Sequence, residues 1–153
     1  MTPEHIHTVQ STWLKVLPVK DAAAQLFCER LLEIDPSLRG LFRGDMRQQG
    51  AHLMQVIDAT VNGLDCLERT VPFIEELGRR YAGYGVKDHH YATVGAALLW
   101  TLAQGLGAEF TPKAKVAWAT IYAVLALTMR EAAASRPVRN PLSTEQPSRR
   151  DAA

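Results

Sequence analysis

Apolar residues recur along this chain at three- and four-residue intervals, and no stretch alternates cleanly with period two. That spacing predicts helices throughout and no strands. Thr2-Pro3 opens the first, a capping hydroxyl followed by a first-turn proline. The helix runs from Glu4 to Lys15 with Ile6, Val9, Trp13 and Val16 on one side, and Pro18 ends it. A second helix has Ala22, Leu26, Leu31 and Ile34 among its apolar positions and stops before Asp35-Pro36, because the residue preceding a proline disfavours the helical region. Asp35 to Phe42 reads as a short helical turn entering a corner. From Asp45 to about Leu64 a further helix carries Gln49, Leu53, Val56 and Thr60 on one face.

Asn62 to Glu68 links to a helix with Pro72 near its start and Val71, Ile74, Leu77, Gly78 and Tyr81 on its buried side. Gly83 and Gly85 supply the backbone freedom to end it. Asp88 is the expected N-cap of the next helix, which runs through Tyr91, Val94, Leu98 and Leu102 to a stop at Gly105-Leu106-Gly107. Thr111-Pro112 repeats the opening of the first helix. The last one carries the apolar residues Val116, Ala117, Ile121, Val124, Leu125 and Met129, sets Trp118 and Tyr122 on one face, and fades near Ala134. About seven helical segments with short links predict an all-α domain over residues 1–134. Ser135 to Ala153 is rich in proline and arginine and nearly free of apolar residues, so it is expected to be a disordered tail.

Composition adds little and removes a good deal. At 153 residues, 47% of them hydrophobic, the chain can bury one sizeable core. A net charge of +1 argues against a dedicated nucleic-acid or membrane-surface role. No apolar run is seen to approach the roughly 20 residues that span a bilayer, and the N-terminus lacks a signal pattern. A cytoplasmic protein is the expectation. Two cysteines, Cys28 and Cys66, make neither a metal finger nor a disulfide framework.

Two runs carry chemistry. One is Leu77-Gly78-Arg79-Arg80-Tyr81, followed by the corner Gly85-Val86 and by Tyr91-Ala92-Thr93-Val94-Gly95. The other is Asp35-Pro36-Ser37-Leu38-Arg39-Gly40-Leu41-Phe42. Together they resemble the globins, most of all single-domain bacterial globins related to flavohaemoglobin, with neuroglobin a more distant likeness. The resemblance spans nearly everything from Thr2 to Ala134. It implies a globin fold of about seven helices around a pocket for haem b (iron protoporphyrin IX), and a small diatomic or anionic ligand at the iron. In those proteins the first run ends in the histidine that binds the iron. Tyr81 stands in its place.

The resemblance also assigns positions around the haem. Phe42 would pack flat against the porphyrin, Gln49 would contact the bound ligand, His52 would lie one turn on, and Leu53 would sit over the iron. Val86, Tyr91 and Val94 belong to the same set, and His89 with Lys87 would neighbour a propionate. His90 is expected at the surface. Cys28 occupies the place of a distal tyrosine, and it either fills core space or offers a thiolate to the metal. Arg79 and Arg80 are either solvated or paired with propionates.

Tyr81 is the implied metal ligand, with His52 the fallback. A phenolate is a hard anionic donor that favours ferric iron, and tyrosine is the proximal ligand in catalase. Coordination would lower its pKa from about 10. Tyr91 matches one member of the proximal network of flavohaemoglobins, but the glutamate position falls on Ala133, which weakens a claim of nitric oxide dioxygenation. Three functions therefore stay open: a ligand-binding haem protein served by an unidentified reductase, a haem-free globin acting as a sensory or interaction module, and a weak peroxidase or nitric-oxide-converting protein with His52 as its acid-base group. Nothing in the sequence sets the oligomeric state.

Overall fold

A computed structural model of the chain describes residues 1–41 and 46–135. Among these residues there are six α-helices and no strand: α1 (Pro3–Val16), α2 (Lys20–Ile34), α3 (Met46–Asn62), α4 (Leu67–Gly83), α5 (Asp88–Leu106) and α6 (Pro112–Ala134). Short 3-10 turns join them at Leu17–Val19, Pro36–Leu41, Gly63–Asp65 and Gly107–Glu109. The expected seventh segment is the 3-10 turn after α2. Phe42 and the tail beyond Ser135 lie outside the described residues.

The helix ends follow from local chemistry. The Thr2 hydroxyl accepts the His5 amide at 3.1 Å, and the Thr111 hydroxyl accepts the Ala114 amide at 3.1 Å. Each satisfies an amide that the helix itself leaves unpaired. The α5 start differs from expectation. Lys87 holds the cap position, Asp88 is already helical, and the Lys87 amide donates to His90 Nδ1 at 2.9 Å. Gly107 closes α5 at φ 57°, a left-handed angle that costs a residue with a Cβ.

The helices bury one core, with Val9, Trp13, Phe27, Leu31, Leu64 and Leu102 its most enclosed side chains. Helix α4 lies along α6, α2 crosses α5 and α3, and α1 packs on α6. Trp13 and Trp118 meet with ring centroids 6.1 Å apart. Their indole N–H groups donate to Asp58 Oδ1 and Thr12 Oγ1, each at 2.8 Å, so burying the rings leaves no indole donor unpaired. Gly78 lets α4 approach α6 closely: a Cβ there would stand 2.3 Å from the Met129 carbonyl oxygen.

Packing decides which apolar positions are buried, and it corrects the buried placing of Val71. Helix α2 buries Ala23, Ala24, Phe27, Cys28 and Leu31, whereas Ala22 and Ile34 face outward. Val71, Val116 and Val124 are also exposed. Helix α6 is apolar over more of its circumference than one contact can cover, so the helices packed on it select which of its residues are buried. Helix α6 has the expected bounds but is more apolar than the sequence reading allowed. Its 23 residues include an 18-residue window of mean hydropathy 1.2, long and apolar enough by itself to cross a membrane. Here Ala117, Trp118 and Ile121 of that helix are core residues.

Candidate functional site

A cavity of about 800 Å³ opens among α2, α3, α4, α5 and α6, within the roughly 300–1,000 Å³ typical of ligand sites. Its walls are mainly apolar. Helix α3 presents Gln49, Leu53, Val56 and Thr60, the stripe expected from spacing, together with His52. Helix α4 contributes Ile74, Leu77, Arg80 and Tyr81, and the corner and α5 add Val86, Tyr91, Val94 and Leu98.

Tyr81 is the polar group on this wall that the fold leaves unsettled. Its Oη is buried and has no hydrogen-bond partner among the described residues. Burial pushes the phenol above its ordinary pKa of 10.0, and the nearby Arg80 guanidinium acts the other way without winning. In the bare chain Tyr81 is therefore a neutral, unpaired donor, an arrangement native interiors avoid unless something else engages the oxygen. Its neighbours on the wall are settled: the Tyr122 hydroxyl donates to the Tyr91 carbonyl at 2.7 Å, and Trp118 is held by Thr12.

The remaining expected residues separate into two groups. Gln49, His52, Leu53, Tyr81, Val86, Tyr91 and Val94 share the cavity wall. Cys28, Lys87 and His89 do not line it. The Cys28 side chain turns to the α2–α3 crossing, where its Sγ would stand 3.0 Å from a Cβ on Gly50, and Phe27 takes the place on the wall. Burial, with Glu29 adding to it, raises the Cys28 thiol pKa, which disfavours the thiolate that metal binding would need.

Lys87 and His89 point outward, while His90, expected at the surface, is 8% exposed and lines the cavity. On a helix, adjacent residues point about 100° apart, and the cap bond to the Lys87 amide fixes which of the two imidazoles turns in. Arg79 reaches back to Glu76 at 3.4 Å, which leaves Arg80 as the arginine on the wall. The far wall holds Phe27, Leu31, Trp118, Ile121 and Met129. The sequence reading marked Leu31, Ile121 and Met129 as apolar helix positions but not as pocket residues, because periodicity does not report what is left unfilled beside a helix.

An all-helical body with a mainly apolar cavity, a polar residue pair on α3 and a buried phenol oxygen on α4 defines a helical protein with an enclosed ligand pocket. The sequence model of the Globin family matches residues 25–129. The chain is 30% identical over 135 residues to the neuroglobin of Tetraodon nigroviridis, covering 79% of this chain and 85% of that protein. It is 34% identical over 114 residues to the neuroglobin of Danio rerio, covering 65% and 72%, and 28% identical over 137 residues to that of Chaenocephalus aceratus, covering 80% and 86%. The chain belongs to the globin family.

Proposed function

We propose that this globin binds haem b in the cavity between α3 and α4, with the Tyr81 phenolate as proximal ligand to a mainly ferric iron, and takes a small diatomic or anionic ligand on the opposite face. The observation that carries this reading is the buried, unpartnered Tyr81 Oη on the cavity wall. An iron ion would remove the unsatisfied donor by replacing its proton, and its positive charge would reverse the pKa shift that burial imposes. The haem would supply a Lewis-acidic, redox-active iron with an open coordination position.

The chain's own residues do the rest. Leu53, Val56, Ile57, Leu98 and Ile121 keep water from the slot, and Gln49 offers an amide donor to a bound ligand. Arg80, exposed and on the cavity wall, is a cation suited to a propionate beside Lys87 and His89. His52 is the alternative ligand from α3. A ferric resting state requires an external electron donor for any reductive cycle, and a reductase of unidentified kind fits that role.

The test is a visible spectrum of the purified ferric protein and of two variants. The expected result is a Soret band with a phenolate-to-iron charge-transfer band that disappears in Tyr81→Phe and persists in His52→Ala. A spectrum indifferent to Tyr81→Phe overturns the ligand assignment. A colourless protein that takes up no added haemin overturns the haem reading, and leaves the haem-free sensory globin in its place.

A further inference from the structure

The haem reading gives no role to Asp35 or to the histidine pair at the start of α5, although His90 also lines the cavity, and these three side chains come together. Asp35 closes α2, His89 and His90 begin α5, and one donor atom from each lies within 4.8 Å of the others. The two imidazole rings have centroids 4.2 Å apart at 54°. The sequence separates Asp35 from the pair by more than fifty positions, so only the crossing of α2 and α5 assembles the cluster. We propose that Asp35, His89 and His90 form a binding site for a divalent transition ion, Zn2+ being the representative, at the edge of the cavity.

The donor set suits that class. Two imidazoles and one carboxylate favour zinc, copper and nickel over magnesium and calcium, which prefer oxygen ligands throughout. A tetrahedral ion with bonds of about 2.0–2.1 Å holds its donors roughly 3.4 Å apart, so small side-chain rotations close the cluster, and water takes the fourth position. The carboxylate is already oriented: Asp35 Oδ1 accepts from the Ser37 amide at 3.1 Å and from the Ser37 hydroxyl at 2.6 Å. That leaves Oδ2 for the ion, with Ser37 in the supporting position common around metal carboxylates.

Two features set how the site would behave. The N-terminus of α5 carries a positive partial charge that opposes a cation, and Lys87 adds to it. The full negative charge of Asp35 is what offsets both, so it is the ligand whose neutralisation costs most. His90 also caps α5, its Nδ1 accepting the Lys87 amide. A neutral imidazole has one in-plane lone pair, so whichever nitrogen takes the ion, the Lys87 amide loses its acceptor. Loading therefore loosens the Gly85–Asp88 corner between Tyr81 and the α5 wall of the cavity, and it couples this site to the pocket.

The experiment is calorimetric titration of the full chain with Zn2+, beside the variants Asp35→Asn, His89→Ala and His5→Ala, each checked for helical content. His89 is exposed, so its loss leaves the core intact. The expected result is one saturable ion per chain, weakened at least tenfold by Asp35→Asn and by His89→Ala and unchanged by His5→Ala. Amide exchange at Lys87 should quicken on loading in the parent chain. Absence of saturable binding, binding indifferent to Asp35→Asn and His89→Ala, or Lys87 exchange that does not quicken would each overturn the three-ligand site. None of these outcomes depends on the haem spectrum, so either proposal can fail alone.

Discussion

Replacing Gly78 with alanine tests how tightly the Tyr81 helix is seated. In an isolated helix the change is favourable by about 1 kcal/mol, since alanine loses less backbone freedom. Here the added Cβ would stand 2.3 Å from the Met129 carbonyl oxygen and 2.7 Å from its Cα. Both are backbone atoms inside α6, so no side-chain rotation relieves them, and the two helices must separate. Overpacking of this kind costs about 1–3 kcal/mol, occasionally more, and contact with rigid backbone places it at the upper end. The expected net loss is about 1–2 kcal/mol, a fall in Tm of roughly 2–8 °C for a chain of this size. Gly105 is the control: it lies in α5 with nothing within 4 Å of a Cβ, so Gly105→Ala should raise stability by up to about 1 kcal/mol. Thermal unfolding followed by circular dichroism reads both. Because Tyr81 lies one turn beyond Gly78, Gly78→Ala should also shift the Tyr81-dependent absorption bands. A Gly78→Ala protein as stable as its parent, with Gly105→Ala no better, would refute the account of a glycine-seated α4–α6 contact.

Other expectations rest on single groups. Without haem, Tyr81→Phe removes a buried hydroxyl that has no partner among the described residues, so it should stabilise the bare chain by about 1 kcal/mol in urea unfolding; destabilisation would mean the oxygen is engaged. Burial raises the phenol pKa of Tyr81, Tyr91 and Tyr122 above 10.0. The unfolded chain therefore ionises these phenols first, so their contribution is intact below about pH 10 and is lost as pH rises toward the folded values. Phenolate absorbance should then appear together with loss of helix in an alkaline titration of the bare chain, and smooth titration of all tyrosines in folded protein would contradict this. Thr12→Val keeps the shape but leaves the buried Trp118 indole N–H without its acceptor, which should cost about 1–3 kcal/mol in the unfolding midpoint.

What the sequence determined was everything set within a few residues. Thr2 and Thr111 cap their helices, Gly107 ends α5, and the Gln49-Leu53-Val56-Thr60 stripe faces the cavity, because capping and helical periodicity are local. The likeness of the Tyr81 run to globins was legible for the same reason. What only the tertiary structure decided was which side of an ambiguous helix is buried and which of two neighbours turns inward. Phe27 stands on the wall instead of Cys28 because α3 meets α2 at Gly50. His90 turns in instead of His89 because it caps α5. Val71, Val116 and Val124 stay outside because α4 and α6 cover each other along a different line. The meeting of Asp35 with the histidine pair has no local signature either, since it exists only where two distant helices cross. Burial along one helix is a periodic property, whereas an unfilled cavity or a cluster of donors belongs to several helices at once, and a single chain read in order carries no record of it.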